Sequence, residues 1–373
     1  MMTLRKLLLG TTALLGVGVL GVATPHLAAA AEVKPGGALD VSISGFARFR
    51  AHGGDVGDAR LDPTLSEDLD FSNDTEVHVI LRGKHDASGI EYGGTVEFEA
   101  DTNRTDNTDE SWIFLRGGFG EFRFGDEDGV ADNSAIGAQT IAAGTGGIDG
   151  SVIDAVAIGV VFPTNSQDST KIRYYTPSFG GFQVGVSYTP NQLNLDSGGG
   201  NGDLLAPTNV DITNLVEGAL VYDGEFGGFG LQASLVGGIA EVADESDDSG
   251  LGGDDFQTIM AGVATEVFGF KVAGSYGTEE TGALERDWFT AGVGYGIGPV
   301  NTSVTYGQVI DSDGFVAGDV SNLVVSADLA VMPGVVLAGD VGFFDNDLSN
   351  NDEDALGVDS DGWQAVLRLG VAF

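Results

Sequence analysis

The chain has 373 residues, of which 56 are acidic and 16 basic, so its formal net charge at pH 7 is −40. This charge excludes the usual kind of nucleic-acid-binding protein, because phosphate recognition needs clustered lysine and arginine. Hydrophobic residues make up 42% of the sequence, which allows a packed structure, and cysteine is absent, so disulfides do not hold the fold together.

The first 31 residues have the three-part layout of a secretory signal peptide. Arg5 and Lys6 precede a long apolar run, and Pro25 and a patch of alanines follow it. We expect cleavage after Ala31; a retained membrane anchor is the alternative. Beyond this point no apolar run approaches the ~20 residues that a spanning helix requires. Residues 32–373 are therefore expected to form one exported domain.

Apolar and polar residues alternate along most of this domain, which is the pattern of β-strands with two different faces. Helical patterns are almost absent. In chain order the clearest alternating segments are 39–51, 77–83, 90–98, 112–126 (two strands), 171–188 (two strands), 229–239, 270–276, 287–297, 335–344 and 363–373, with weaker alternation around 213–224 and 255–267.

Short and long connections alternate between these segments. Short turn signals lie at 86–89, 117–120, 178–181, 225–228, 268–269, 298–299 and 332–334. Long polar stretches lie at 52–74, 101–109, 126–168, 191–212, 241–254, 278–286, 309–318 and 345–361. The pattern predicts about sixteen strands, give or take two. An even strand number with short turns on one rim and long loops on the other is typical of a closed antiparallel outer-membrane β-barrel.

The apolar strand faces favour a membrane barrel over a soluble protein. Aromatic residues end the apolar face at both sides, as Phe182 and Tyr188 do, and the span between them is roughly 20 Å. The apolar band of a transmembrane barrel is ~25 Å tall. A soluble β-sandwich with aromatic residues capping its core is the alternative. Because a lipid-facing arginine near the bilayer centre costs ~2–4 kcal/mol, Arg48 and Arg368 are predicted to face a water-filled lumen.

The final stretch, WQAVLRLGVAF (363–373), shows the same two faces in one strand. Trp363 and every second residue after it are apolar, whereas Gln364 and Arg368 lie on the opposite face. We expect the apolar face to contact lipid and this strand to close the barrel against the first one.

Four stretches carry a resemblance to a known family, namely EVKPGGALDVSISGFARF (32–49), WIFLRGGFGEFRFGD (112–126), KIRYYTPSFGGFQVGVSY (171–188) and the terminal Phe373. With them the chain resembles the general diffusion porins of Gram-negative bacteria, and most of all the porins of photosynthetic alphaproteobacteria. The resemblance implies a sixteen-stranded homotrimer in contact with outer-membrane lipid and lipopolysaccharide. It also implies a channel for small hydrophilic solutes, narrowed by a third external loop that folds inward.

Segment 126–168 is the longest break between strands, and the resemblance identifies it as the constriction loop. It contains no lysine or arginine, and its apolar residues, such as Ile136, Ile141 and Ile148, could pack against the inner wall. The candidate acidic residues of the constriction are Asp126, Glu127, Asp128, Asp132, Asp149 and Asp154. The candidate basic residues of the pore wall are Arg48, Arg50, Arg82, Lys84 and Arg123.

Opposed acidic and basic groups of this kind would produce a field across the narrowest part of the pore. A loop lying outside over the rim, with charges that only keep the lumen wet, is the alternative. Only three basic residues follow Arg173. This scarcity favours a preference for cations.

The sequence gives only weak indications of a bound cofactor or of catalysis. The acidic stretches 243–255 and 345–362 suggest weak calcium binding, with solvated external loops as the alternative; the candidate ligands are Asp345, Asp347, Asp352 and Asp354. With no cysteine and only three histidines after residue 31, cysteine or zinc chemistry has few ligands. We expect that the protein is not an enzyme and that it requires no cofactor. The rival functions are a substrate-specific channel of the same fold and a secreted acidic β-rich surface protein.

Overall fold

The computed structural model describes residues 39–55, 69–100, 108–151, 163, 165–192, 212–227, 229–242, 256–281, 284–313, 317–349 and 358–373. The expected signal peptide, the candidate constriction residue Asp154 and the candidate calcium ligands Asp352 and Asp354 lie outside these residues.

Sixteen strands form a single closed antiparallel sheet, in which each strand pairs with its neighbours in sequence and β16 returns to β1. They are β1 (Leu39–Asp55), β2 (Asp70–His85), β3 (Ile90–Glu99), β4 (Ser111–Gly117), β5 (Gly120–Asp126), β6 (Thr170–Tyr175), β7 (Phe182–Gln192), β8 (Ile212–Phe226), β9 (Phe229–Val242), β10 (Phe256–Val267), β11 (Phe270–Thr281), β12 (Leu284–Ile297), β13 (Val300–Asp313), β14 (Ala317–Met332), β15 (Val335–Ser349) and β16 (Val358–Ala372). The predicted closed barrel is confirmed. Both segments with weak alternation, β8 and β10, are strands.

Helical structure is confined to the connection between β5 and β6 in the described part of the chain. It comprises one α-helical turn, α1 (Val130–Asn133), and two 3₁₀ turns, Ala138–Ile141 and Gly147–Asp149. None of the described helices is long and apolar enough to cross a membrane.

Side chains alternate strictly between the outer and inner surfaces of the barrel. On β16, Leu367 is 53% exposed whereas its neighbours Val366 and Arg368 are 4% and 7% exposed. The same strand pairs with β1 over ten residues, from Phe46 opposite Ala372 onward. The predicted faces and closure of the last strand are therefore confirmed.

Aromatic pairs cross neighbouring strands beside the short turns. The ring centroids of Phe182 and Tyr222 are 4.8 Å apart, and those of Phe270 and Tyr295 are 4.7 Å apart. Such rings, apolar in body and polar at the tip in tyrosine, suit the boundary between hydrocarbon and water.

Several strands reach further toward the long loops than the sequence predicted. The sheet continues through residues 278–281 and 284–286, and through 309–313 and 317–318, all of which were predicted to lie in loops. Polar side chains can pair in this region, as Arg286 does with Glu279 at 3.2 Å. Above the apolar band both faces of a strand are wet, so the ladder persists after the hydrophobic alternation ends.

The calcium candidates are affected by the same extension. Asp345 and Asp347, predicted to lie in a loop, belong to β15, where they stand opposite Asp361 and Asp359 of β16. The prediction of their loop position is wrong for these two residues.

Candidate pore constriction and channel wall

The connection between β5 and β6 lies along the inner surface of the barrel. Its backbone amides donate hydrogen bonds to small polar side chains that point inward from six strands, β7, β9 and β12–β15. The bonds are Val130 N to Ser187 Oγ (3.2 Å), Ile136 N to Ser234 Oγ (3.0 Å), Ala138 N to Thr290 Oγ1 (3.0 Å), Ala143 N to Ser303 Oγ (2.8 Å), Gly144 N to Asp328 Oδ2 (3.1 Å), Ile148 N to Thr305 Oγ1 (3.0 Å) and Thr145 N to Asp340 Oδ2 (2.8 Å). These bonds satisfy amides that would otherwise be buried without a partner.

Apolar side chains of the same connection fill the space between these hydrogen bonds. Val130 and Ala131 belong to a buried cluster on β6 and β8–β14 that includes Trp288, and Ile136 and Ile141 pack with alanines of β10 and β11. Their burial accounts for the apolar residues that the sequence placed in an otherwise acidic segment. The apolar positions from 152 onward lie outside the described residues.

One glycine of the wall allows the backbone of the connection to come close. A Cβ atom at Gly262 of β10 would lie 1.6 Å from the carbonyl oxygen of Ile136. No side chain fits at that distance, so the close approach requires glycine at this point.

A buried ionic cluster holds the start of the connection. Glu127 Oε2 accepts hydrogen bonds from Arg123 (3.0 Å) and Arg173 (2.7 Å), and Arg123 also binds Glu121 (2.7 Å). Lys171 donates to the carbonyl oxygen of Glu127. Burial raises the pKa of Glu127, although Arg173 and Arg123 act to lower it. Removing one member would leave an unpaired buried charge, which is strongly destabilising.

Glu217 of β8 joins the two ends of the connection. Its carboxylate accepts from the hydroxyl of Ser166 (2.7 Å), the amide of Ser166 (3.2 Å) and the hydroxyl of Ser187 (2.5 Å). Ser187 Oγ in turn accepts from the amide of Val130. Glu217 is 1% exposed, and a Cβ at Gly129 would lie 2.0 Å from Oε2. One carboxylate therefore fixes residues near both ends of the connection at the same place on the wall.

Carboxylates crowd together where the connection leaves β5. Burial raises the pKa of Glu110 to about 8, and the charges of Asp128 and Asp168 add to the effect. Burial, followed by Asp128, likewise raises the pKa of Asp168 to about 7. Ligand atoms of these three residues lie within 4.8 Å of one another, so they could hold a cation with oxygen ligands.

Two other candidate acids, Asp132 and Asp126, lie after and before Asp128 in the sequence. The pKa of Asp132 is raised well above its usual value, first by burial and then by the charges of Asp128 and Asp149. Asp126, the last residue of β5, instead accepts a hydrogen bond from the hydroxyl of Thr170. The structure thus brings Asp128, Asp132 and Asp149 together and leaves Asp126 and Glu127 engaged with the neighbouring wall.

Three of the five candidate basic residues are paired with acids of the inner wall, and a fourth, Lys84, is paired with an acid near the short turns. Arg48 and Arg50 both bind Asp74, at 3.1 and 2.7 Å, and Arg123 belongs to the ionic cluster around Glu127. Arg368, which stands opposite Arg50 in the register, donates to the carbonyl oxygens of residues 144 and 145. The middle of the connection therefore reaches Arg368 of β16, which is paired in the register with Arg50 of β1.

Arg82 and Lys84 lie elsewhere. They are exposed near the short-turn end of β2, and Lys84 pairs with Glu91 at 3.2 Å. Arg82 is eight residues along β2 from Asp74, which corresponds to about 26 Å. The structure does not bring these two side chains together with Arg48 and Arg50.

Comparison with known proteins agrees with this architecture. The sequence profile of the family described as "Gram-negative porin" matches residues 11–349. The chain belongs to the Gram-negative porin family. Its barrel is accordingly an outer-membrane channel.

Similar structures agree on the fold. An anion-selective porin from Comamonas acidovorans is 19% identical, with a TM-score of 0.60, and the match covers 90% of this chain and all of that one. The trimer form of OmpT from Vibrio cholerae is 12% identical, with a TM-score of 0.57, and the match covers 90% and 100% of the two chains. An uncharacterised protein of Rickettsia conorii is 22% identical over 271 residues, which is 54% of this porin and 62% of the relative.

Sequence reasoning missed several residues that organise the inner wall. Lys171, Arg173, Glu217 and Arg368 were not among the candidates for the site. Alternation within KIRYY (171–175) places Lys171 and Arg173 on the same face as Arg123 of the adjacent strand, so this signal was available. For Glu217 only its inward direction could be deduced, because its partners lie 30 and 51 residues away in sequence.

Proposed function

We propose that this porin passes small hydrophilic solutes and ions by passive diffusion through a water-filled bore that residues 126–168 narrow. The observation that carries the proposal is the row of amide hydrogen bonds from residues 130–148 to inward-facing side chains of β7–β15. A segment fixed to this half of the wall occupies part of the cross-section. Sixteen strands leave an aqueous channel beside it.

The open passage in this proposal lies along the inner wall of β1–β4. Arg48 and Arg50 border it, but both are bound to Asp74. Asp74 balances one of these two positive charges, and three carboxylates of the connection, Asp128, Asp132 and Asp149, lie together. This excess of acids over bases supports a preference for cations.

Assembly and surroundings are part of the same proposal. The trimer form of OmpT supports a homotrimer, and the apolar outer surface supports contact with outer-membrane lipid, including lipopolysaccharide. Calcium could bind at Glu110, Asp128 and Asp168, whose oxygen ligands suit that ion. This site would replace the candidates at 345–354, two of which stand in β15.

Ion selectivity and solute passage test the proposal separately. Planar-bilayer recordings under a KCl gradient are expected to give a reversal potential of the sign for K⁺ preference, whereas a chloride preference would overturn the cation assignment. Liposome swelling with sugars of graded size is expected to slow steeply with solute size. Failure to swell with any sugar would refute the diffusion channel, and uptake of a single sugar only would favour the substrate-specific alternative.

A further inference from the structure

A second group of side chains on the inner wall has the composition of a transition-metal site. Glu76 and His78 are two residues apart on β2 and therefore share its inner face, and Glu97 of β3 stands directly opposite His78. Their ligand atoms lie within 4.8 Å of one another. Directly opposed positions place side chains about 5 Å apart, so the strand register alone brings the imidazole and this carboxylate together.

The distances are compatible with a common metal ion. His78 Nε2 is 3.7 Å from Glu97 Oε2 and is in hydrogen-bond contact with Glu76 Oε1. In a tetrahedral zinc site with bonds of about 2.1 Å, ligand atoms are separated by about 3.4 Å. Small rotations of the two carboxylates bring the three donors to that spacing.

Glu97 supplies an independent indication of a missing partner. Its side chain is only 2% exposed, and among the described residues no donor reaches its Oε1 atom. A buried carboxylate oxygen without a hydrogen bond is costly. Because the rest of the same carboxylate points at His78, the orphaned oxygen lies within the group and can serve as a metal ligand.

Charge balance is compatible with a bound metal ion. A divalent cation with a neutral imidazole and two carboxylates leaves no net charge in this buried place. The positive charge of Arg48 acts on Glu76. This guanidinium is already bound to Asp74 at 3.1 Å and lies over the ring of Phe46 at 3.6 Å. It therefore does not neutralise Glu97.

We propose that Glu76, His78 and Glu97 bind a divalent transition metal of the zinc class on the channel wall. One imidazole and two carboxylates form a three-ligand set of the kind that leaves the fourth position to water. Imidazole is a preferred ligand of zinc, nickel and copper and a poor one for calcium and magnesium, so the site discriminates between these classes. A second group of carboxylates, Glu99 and Asp109, shares Glu76.

Metal titration of the folded barrel in detergent tests the proposal. Isothermal titration with Zn²⁺ is expected to show one high-affinity site per chain that excess Ca²⁺ does not displace. His78→Gln and Glu97→Gln are each expected to weaken Zn²⁺ binding at least tenfold. His85→Gln, at an exposed position near the short turn, is the matched control and is expected to bind as the unmodified protein does. Heat-modifiable gel migration checks that each variant is folded.

A measurement without substitution covers the case in which a variant fails to fold. NMR signals of the histidine rings report on each imidazole whether or not it is exposed. Zn²⁺ is expected to shift the ring signals of His78 and to leave those of His85 in place. Equal shifts at both histidines, displacement of Zn²⁺ by Ca²⁺, or unchanged affinity in a folded His78→Gln variant would each overturn the assignment. None of these outcomes affects the diffusion channel, which swelling assays test independently.

Discussion

Replacement of Glu217 by alanine is expected to release both ends of the β5–β6 connection from the wall. The carboxylate accepts three hydrogen bonds, two from Ser166 and one from Ser187, and Ser187 holds the amide of Val130. A hydrogen bond to a charged group contributes about 1.5–3 kcal/mol. Because the three bonds share one acceptor they are not additive, and about 3 kcal/mol is a reasonable lower figure for the total loss.

That loss has a measurable effect on the position of the connection. Since every 1.4 kcal/mol corresponds to a factor of ten, the unseated population rises about a hundredfold. Hydrogen exchange of the amides of Val130, Ile136 and Ala138 should accelerate by about the same factor under conditions in which the exchange rate is proportional to the population of the open state. Single-channel recordings should show larger or noisier conductance steps, since the segment no longer stays in one place.

The controls separate this effect from general damage to β8. Glu225→Ala changes an exposed acid of the same strand and should leave exchange and conductance unchanged. Glu217→Gln keeps the volume and one acceptor oxygen, so an intermediate result is expected. If Glu217→Ala matches Glu225→Ala in both assays, Glu217 does not hold the connection and the reasoning fails.

Two further predictions concern the same connection. Gly262→Ala places a methyl group where the carbonyl oxygen of Ile136 lies and should displace the connection, so faster liposome swelling with large sugars is expected. The matched control is Gly218→Ala, because a Cβ atom there would have nothing within 4 Å. Equal swelling rates for the two variants would contradict the packing at Gly262. The pKa values of Glu110 and Asp168, about 8 and about 7, exceed the ordinary values near 4, so the folded state binds more protons. The stabilisation of the folded state that these raised pKa values provide is complete below about pH 4 and is lost as the pH rises through 7 to 8. Proteolysis of the connection should increase over that window and less so in Glu110→Gln; a flat profile would argue against the shifts.

The barrel could be predicted because its signals are local. Alternation with a period of two shows which residues face lipid, and the short turns separate strands without reference to distant residues. The ends of the strands at the long loops could not be predicted in the same way. Glu279 and Arg286 are polar on a wet face, and only their pairing across β11 and β12 shows that the sheet continues there.

The proposed metal ligands and the predicted basic residues of the pore wall differ in how much of their position could be predicted from the local sequence. His78 and Glu97 lie on one hairpin, so the turn at 86–89 fixes their opposition by counting outward from His85 and Ile90. The relative positions of the predicted basic residues could not be predicted in this way. Alternation shows whether a side chain points inward or outward, but not where it lies along the barrel axis. Arg82 shares the inward face with the side chains near Asp74 but lies about 26 Å along the strand from it.

Local pairing also changes the electrostatic picture of the bore. The sequence suggested basic and acidic groups that act on each other across the passage. In the structure Arg123 binds Glu127 four residues along the chain, and Arg48 and Arg50 share Asp74 on the adjacent strand. Charges paired within about 3 Å largely offset each other at the distance of a passing ion, but Asp74 offsets only one of the two arginines that share it. The sign of the field therefore depends on the balance between the arginines of β1 and the carboxylates of the connection and of β2–β3. For a chain with a formal charge of −40, the proposed preference for cations therefore depends on which acids lack a basic neighbour as well as on the number of arginines on the wall.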